Sequence, residues 1–462
     1  MKNSAAKKRK QVPAGYLVVG VDPHKKKHAA VFMTQDFMTH SKLKFDNSRE
    51  GFEKVLERAR TEMLKTECRG VIFAIETGAH HWRNLAYFLD EKGIPLRLIN
   101  QFTLKRRREG KDLNHRKNDY RDSEVAAQLL CTGEFNAARL SQGVYAELRA
   151  AYGSYRRLVK EKTRIVNLVK SLLDGLFPEF TQVFKNPCGQ TAASVLCTCA
   201  VPQAIADMTE SEFVDAIKAA CQGRRIMKGK IKALHHVAMT SIGIGAGAQS
   251  VSSEIAFLIE KLRLIEQQLR QINEALTRLV HETVEGKYLL SIIGLSYVSV
   301  AGIIAELGSF SSYQNAKQLI KMAGSNPTES ESGGKRRSHT PISKQGRPVL
   351  RHCAWTAVIP MLRFNTDFRD WAKKLRERPA GANPLSGREV MVAAVNKLLR
   401  LAFALVKNQA LYQIPEPQPV EIAIWEASNT SGGQGNTAGS FGSSYEPTRQ
   451  KTWCPALLAK PV

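Results

Sequence analysis

Short apolar runs that end in acidic residues open the chain. Residues 16–21 (YLVVGV) lead into Asp22, and a second apolar run over residues 29–33 (AAVFM) follows a polar HKKKH stretch. Two apolar runs joined by polar residues predict a β-hairpin. A helical pattern over residues 49–65 is followed by the apolar run 71–75 (VIFAI), which ends at Glu76.

The same alternation continues with a predicted helix around residues 82–92 and a predicted strand over residues 96–99 (LRLI). Strands that alternate with helices are typical of α/β architecture. We therefore predict that the N-terminal part folds as an α/β domain with a largely parallel sheet.

A helical pattern begins near residue 123 and continues over most of the remaining chain, with a less regular section at residues 186–250. Its clearest periodicity alternates steps of three and four between apolar residues, at Ile255, Leu258, Leu262, Ile265, Leu269, Ile272, Leu276 and Leu279. This heptad spacing predicts either a coiled-coil seam or a long amphipathic helix that packs inside its own domain.

A third unit begins near Leu289, where an apolar helical pattern contains Gly294 and Gly302. The pattern is typical of a helix-hairpin-helix, whose turn amides can hold a DNA phosphate. From about residue 426 the chain is rich in Gly, Ser, Thr and Asn, which predicts a flexible tail.

The chain has 462 residues, more than the roughly 250–300 at which a single core stops growing. We predict a basic arm at 1–14, an α/β domain at 15–140, a helical region at 141–288 with a coiled coil at 255–279, a mainly helical unit at 289–410 and a tail at 411–462.

The net charge of +26 favours a polyanionic partner, because so much like charge repels itself unless nucleic acid neutralises it. A membrane-spanning segment is not expected, since no window approaches roughly 18 consecutive apolar residues. The basic N-terminus has no apolar stretch behind it, so we expect a cytoplasmic protein that works at the nucleoid. The eight cysteines are scattered without metal-ligand spacing, which argues against structural zinc.

Four carboxylates occupy sequence positions that the predicted fold could bring together. Asp22 and Glu76 each follow an apolar strand, and Asp119 and Asp122 lie three residues apart at a predicted helix start. Strand ends share one sheet edge, and a helical pair can point at it, which gives hard oxygen ligands for Mg²⁺ or Mn²⁺. Such ions support phosphoryl transfer. The alternatives are a turn residue for Asp22 and a helix N-cap for Asp119 or Asp122.

Two basic stretches predict contacts with the phosphate backbone, although a solvated charged face is the usual explanation for such runs. The first comprises Lys105, Arg106, Arg107, Arg108, Lys111, Arg116, Lys117 and Arg121. The second surrounds a serine- and glycine-rich loop and comprises Lys335, Arg336, Arg337, Lys344, Arg347 and Arg351. A serine among such cations suits attack on a phosphodiester, but by spacing alone the loop is more simply a linker.

Several motifs together, VGVDPHKKKHAAVF, FAIETGAHHWRNLAYFL, KNDYRDSEVAAQLL and ESGGKRRSHTPISKQGRPVLR, resemble the insertion-sequence-110 family of transposases over residues 15–410. The resemblance implies a RuvC-like domain with an RNase H-type fold and a DEDD metal site at Asp22, Glu76, Asp119 and Asp122. It also implies a C-terminal transposase domain whose catalytic serine corresponds to Ser332, with Ser330 and Ser338 as neighbouring alternatives.

Further expectations follow from the resemblance. They are a serine–DNA covalent intermediate, a bridge RNA that selects donor and target DNA, and dimers that pair into tetramers with active sites shared between subunits. The rival interpretations are a junction-resolving endonuclease of the same fold that uses water, and a nucleic-acid-binding protein whose acidic residues are structural.

Overall fold

The computed structural model describes residues 8–78, 80–110, 118–137, 139–221, 226–328, 331–332, 335–336, 340–379 and 384–414. Half of the predicted basic arm (residues 1–7) and nearly all of the predicted tail (residues 415–462) lie outside these residues. For residues 331, 332, 335 and 336 the description covers the backbone.

A six-stranded sheet forms the N-terminal part, with the order β3-β2-β1-β4-β5-β6. The strands are β1 (Tyr16–Asp22), β2 (Lys27–Met33), β3 (Thr39–Asp46), β4 (Gly70–Glu76), β5 (Leu96–Ile99) and β6 (Asn136–Ala137). The predicted hairpin is confirmed, since β1 and β2 pair antiparallel. The prediction of a largely parallel sheet is wrong. Only the β1/β4 and β4/β5 pairs are parallel, because β2 and β3 form a meander and β6 returns antiparallel to β5.

Helices cover both faces of the sheet. They are α1 (Arg49–Lys65), α2 (Trp82–Glu91), α3 (Gln101–Glu109) and α4 (Asp119–Cys131). Alternate residues of β1 enter opposite cores: Leu17 packs with residues of α1 and α2, whereas Val18 packs with residues of α4. This alternation is the two-residue period of a strand that is buried on both sides.

Helix α4 lies directly on β1 because Gly20 has no side chain. A Cβ atom at Gly20 would stand 1.9 Å from the carbonyl oxygen of Ser123 and 2.8 Å from the amide nitrogen of Ala127. The Ser123 hydroxyl also lies 3.0 Å from the carbonyl oxygen of Ala29 on β2. The sheet and the first turns of α4 are therefore held in one fixed arrangement.

Two 34-residue helices, α5 (Gly143–Leu176) and α11 (Ala248–His281), run antiparallel. The start of α5 shares a core with the end of α11, and the end of α5 shares another core with the start of α11. Two ion pairs cross between them, Lys162 to Glu266 and Lys261 to Glu161, each at 2.7 Å. The heptad residues of α11 thus pack against a helix of the same chain.

In the described part of the chain between α5 and α11, which includes the section that lacks regular periodicity in the sequence, there are five shorter helices. They are α6 (Phe180–Val183), α7 (Gln190–Thr198), α8 (Pro202–Ala206), α9 (Glu210–Ala220) and α10 (Lys228–Ala238). Their apolar residues join the core formed by the end of α5 and the start of α11.

The C-terminal part is mainly helical. Its elements are α12 (Val284–Leu290), α13 (Tyr297–Leu307), a 3₁₀ turn (Phe310–Ser312), α14 (Ala316–Ala323), β7 (Glu331–Ser332), β8 (Lys335–Arg336), α15 (Pro348–Phe364), α16 (Thr366–Arg376) and α17 (Gly387–Asn408). Gly294 lies in the turn between α12 and α13 with φ +94, so this turn requires glycine. The two short helices of the predicted helix-hairpin-helix are present, and its phosphate contact stays a prediction.

The length and polarity of the helices can be compared with those that a membrane span requires. Among the described residues, every helix is too short or too polar to cross a lipid bilayer.

Substitution of Gly20 tests the contact between α4 and β1. We expect Gly20→Ala to lower the free energy of unfolding by about 1–3 kcal/mol, because the added methyl group must displace the α4 backbone. Urea denaturation measures the change. Gly175→Ala is the control, since a Cβ there meets nothing within 4 Å and alanine favours the helix. Equal stability of the Gly20 variant and the wild type would contradict this account.

Candidate active site

The parallel pairing of β1 and β4 brings two carboxylates to one edge of the sheet. Val21 pairs with Ile75, so Asp22 and Glu76 follow at neighbouring positions where both strands end. Asp22 is 6% exposed and Glu76 is 9% exposed. Because Asp22 is the last residue of β1 and pairs with Ala29 on β2, it belongs to the strand rather than to a turn.

Helix α4 contributes the other two carboxylates from its first turn. Its N-cap is Asn118, whose side chain accepts a hydrogen bond from the backbone amide of Tyr120. The alternative that Asp119 or Asp122 caps the helix is therefore wrong, and both side chains are free for other contacts. Their negative charge at a helix N-terminus is favoured by the helix dipole.

Three of the carboxylates line one cavity of about 570 Å³: Asp22, Glu76 and Asp122. Asp119 lies beside this cavity and is joined to it through His24. The His24 Nε2 atom lies 3.2 Å from Asp22 Oδ2 and 3.4 Å from Asp119 Oδ1. Asp22, His24 and Asp119 can each offer one ligand atom to a metal ion, and these three atoms all lie within 4.8 Å of one another.

His24 and Lys44 belong to the site but were not predicted from the sequence. His24 stands in the motif Asp-Pro-His, two residues after a predicted metal ligand, and that proximity was the available signal. Lys44 belongs to β3, which the apolar pattern does not reveal because Phe45 is the one fully buried residue of the strand. Its Nζ atom lies 3.2 Å from Asp119 Oδ2.

Arg108 turns toward the acidic cavity. Its Nη1 atom lies 2.7 Å and 2.8 Å from the two carboxylate oxygens of Asp122. The neighbouring residues of α3 that were predicted to bind phosphate, Lys105, Arg106 and Arg107, are exposed. Lys117, predicted to bind with them, lies outside the described residues.

Burial and crowding shape the protonation of the carboxylates. Burial raises the pKa of Asp22, and the nearby charges of Asp122 and Asp119 raise it further, against the opposing effects of His24 and of a hydrogen bond with Glu76. Partial burial pushes the pKa of Asp119 upward as well. The hydrogen bond from Lys44 and the charge of His24 outweigh that effect and hold the pKa of Asp119 below its ordinary value.

A divalent cation fits this donor set. Carboxylate oxygens are the hard ligands that Mg²⁺ and Mn²⁺ prefer, and four of them come from three elements that the fold fixes in place. Burial is the largest cause of the raised pKa of Asp22, so ionising this carboxyl is costly unless a cation lies nearby. A bound cation would supply the missing positive charge.

The predicted serine lies in the C-terminal part. Ser332 pairs with Lys335, and Glu331 with Arg336, in the small sheet of β7 and β8. The side chains of Ser332, Lys335 and Arg336 lie outside the description, as do Ser330, Arg337 and Ser338.

The three other basic residues predicted in this region, Lys344, Arg347 and Arg351, are described. The Arg351 guanidinium donates to the backbone oxygen of Ala323 at 2.8 Å. Lys344 is exposed. Arg347 contacts Glu306, through both the backbone oxygen and a carboxylate oxygen at 3.8 Å. The structure therefore places Arg347 in an ion pair within the protein.

Comparison with protein families shows the class of this protein. Residues 19–178 match the model of the IS110 DEDD domain, which is described as a transposase, and residues 286–373 match the transposase model of the IS116/IS110/IS902 family. The first match contains all four carboxylates and the second contains Ser332. The protein is thus a transposase, and the chain belongs to the IS110 family. The resemblance predicted from its motifs is confirmed.

Individual relatives are distant in sequence. An uncharacterized 43.6 kDa protein of insertion element IS110 from Streptomyces coelicolor is 22% identical over 316 residues, 66% of this chain and 75% of the relative. An uncharacterized 44.8 kDa protein of insertion element IS116 from Streptomyces clavuligerus is 20% identical over 88% of this chain and 98% of the relative. A pilin gene-inverting protein from Moraxella lacunata is 22% identical over 32% of this chain and 46% of the relative.

Removal of the Arg108 guanidinium tests its part in the acidic cavity. We expect Arg108→Gln to lower the free energy of unfolding by about 3 kcal/mol, because the nearly buried Asp122 would lose its cation. Urea denaturation in the presence of a metal chelator measures this change.

Arg107→Gln removes an exposed charge from the same helix and serves as the control. In the Arg108→Gln/Asp122→Asn double variant the loss should be much smaller than the sum of the two single losses. Equal effects of the Arg107 and Arg108 variants would show that the ion pair contributes nothing.

Proposed function

We propose that this transposase cuts and rejoins DNA strands at a site formed by Asp22, Glu76, Asp119 and Asp122. One observation carries the proposal: carboxylates from two strand ends and one helix start, distant in sequence, meet at one cavity, and three of them are nearly buried. Buried like charges are costly unless opposite charges or a bound metal ion compensate them. The name of the pilin gene-inverting relative supports an action on DNA.

The four carboxylates would hold Mg²⁺ or Mn²⁺. Such ions, when bound, help to activate a nucleophile and stabilise a leaving oxygen at phosphorus. The protein's own cations have separate tasks. Arg108 and Lys44 hold Asp122 and Asp119 in position. The exposed Lys105, Arg106 and Arg107 on α3 would contact phosphate oxygens of the strand that enters the cavity.

Ser332 would act as the nucleophile. Its hydroxyl oxygen forms a bond to phosphorus, its proton passes to a base, and the bond between phosphorus and one sugar oxygen breaks and releases that strand end as an alcohol. The phosphate of the other strand end then forms a phosphodiester between serine and DNA. A hydroxyl of another strand then displaces the serine and restores a DNA phosphodiester, so no external energy source is required. Lys335, Arg336, Arg337 and Lys344 would hold the backbone near this serine.

The finer family features are part of the proposal. The N-terminal domain, taken as residues 15–140, would be RNase H-like, which its mixed sheet flanked by helices supports. A bridge RNA would select donor and target DNA, and the net charge of +26 suits a protein that binds both RNA and DNA. Dimers would assemble into tetramers on chromosomal DNA, with active sites shared between subunits.

Neutral replacements of the carboxylates test the metal site. We expect Asp22→Asn, Glu76→Gln and Asp122→Asn each to reduce recombination between plasmids that carry the element's ends by at least about 100-fold, because each removes an oxygen ligand. Calorimetric Mn²⁺ titration should show a matching loss of binding.

Glu124→Gln is the matched control, since Glu124 lies on α4 and bonds Gln128 instead of lining the cavity. The rival interpretation, in which the acidic residues are only structural, predicts full activity in the folded Asp22→Asn variant. That outcome would refute the metal site.

Replacement of Ser332 separates a transposase that uses serine from a resolving endonuclease that uses water. We expect Ser332→Ala to abolish both strand exchange and the covalent protein–DNA adduct seen on a denaturing gel, because the alanine side chain has no nucleophilic oxygen. Ser330→Ala and Ser338→Ala are the neighbouring controls and should keep the adduct. If Ser332→Ala retains the adduct, another residue is the nucleophile.

A further inference from the structure

A second cavity lies where the segment that carries Ser332 leaves and rejoins the helical core. We call residues 325–328 and 340–343 the loop root. They pair with each other: the Ser343 amide donates to the Asn326 carbonyl oxygen at 2.9 Å, and the Thr328 amide donates to that of Pro341 at 2.9 Å. The cavity beside them has a volume of about 300 Å³. It is separate from the acidic cavity and lined by other residues.

One face of α15 forms a wall of this cavity. Arg351, His352 and Trp355 all line it. Arg351 and His352 each lie three or four residues from Pro348 and from Trp355, which places all four on the same side of the helix. The wall therefore combines a large aromatic ring with a guanidinium and an imidazole.

Apolar side chains form the opposite boundary. Val392 and Val395 come from α17, which packs against α15, and Ile342 comes from the loop root. Among the described residues, none that lines this cavity is acidic. The space between the walls is thus apolar, with positive charge at its border.

A fixed polar group also lines the cavity. Ser325 is 1% exposed, and its hydroxyl lies 2.6 Å from Oδ1 of Asn396 on α17. Asn396 in turn donates from Nδ2 to the backbone oxygen of Ser325 at 3.2 Å. Because the hydroxyl proton is directed at Asn396, the Ser325 oxygen can accept a hydrogen bond from a ligand in the cavity.

We propose that this cavity binds an unstacked nucleobase of the DNA strand. A flat ring fits between the indole of Trp355 and the apolar wall, and stacking on an aromatic ring accepts every base. The ring edge would meet Ser325, while Arg351 and His352 attract the adjoining phosphate. An apolar side chain of another protein would leave these polar groups without partners, so the lining favours a base.

Such binding would fix the DNA backbone beside the loop root. A strand whose base is held here has its neighbouring phosphates placed close to the segment that carries Ser332. Base extrusion of this kind is used by enzymes that need access to one nucleotide of a strand. The inference rests on the proposed function only in that the substrate is DNA, and it requires neither the metal site nor the serine chemistry.

Two single-stranded probes of equal charge test the proposal. One contains about 15 thymidines and the other has the same backbone with abasic residues throughout. We expect Trp355→Leu to weaken binding of the thymidine probe by about 5- to 150-fold, which is the usual loss when one stacking ring is removed. Binding of the abasic probe should not change. Fluorescence anisotropy measures both affinities.

Trp355→Phe should keep most of the thymidine affinity, and it guards against a folding defect in the leucine variant. Phe364→Leu is the matched control because Phe364 is an exposed ring on the same helix outside the cavity. The proposal is overturned if Trp355→Leu binds both probes as the wild type does, weakens both equally, or changes only the oligomeric state. If the wild type binds neither probe, the base site is refuted, whereas the proposed action on DNA is refuted separately, by an absence of recombination in the plasmid assay.

Discussion

The contact between α4 and β1 at Gly20 is the constraint on which the acidic site depends. The carboxylates of Asp119 and Asp122 can reach Asp22 only if the backbone of α4 lies directly on the strand, and any side chain at position 20 would collide with Ser123. The parallel register of β1 and β4 then adds Glu76 at the same edge. Backbone packing, and not attraction between the side chains, brings the like charges together.

Positive charge nearby has to offset the repulsion between the carboxylates that backbone packing brings together. Arg108, Lys44 and His24 each contact one or two of the carboxylates, so three cationic or titratable groups of this basic protein converge on one place. Arg108 holds both oxygens of Asp122, whereas Asp22 is nearly buried and has its pKa raised. The site thus has fixed geometry together with a remaining demand for positive charge, which is the condition that favours a divalent cation.

The sequence predicted most of this site because its elements have strong signals. Apolar strands that end in Asp22 and Glu76, and a helix that starts near Asp119, are local patterns, and parallel pairing makes strand ends meet. Lys44 was missed because β3 is a polar strand with few buried positions. The heptad pattern of α11 gave the period of an apolar face but not the identity of its partner, which is α5 of the same chain.

The loop root shows why a short polar segment cannot be interpreted from its own residues. Serine, glycine and lysine are common in any linker, so the spacing of residues 330–347 carries little information. What distinguishes the segment is its anchoring. Its two ends pair with each other, Arg347 is tied to Glu306, and the Arg351 guanidinium donates to the backbone of Ala323 at 2.8 Å. A loop on a fixed base can hold the proposed nucleophile in a defined place, whereas a linker between domains gains nothing from such anchoring.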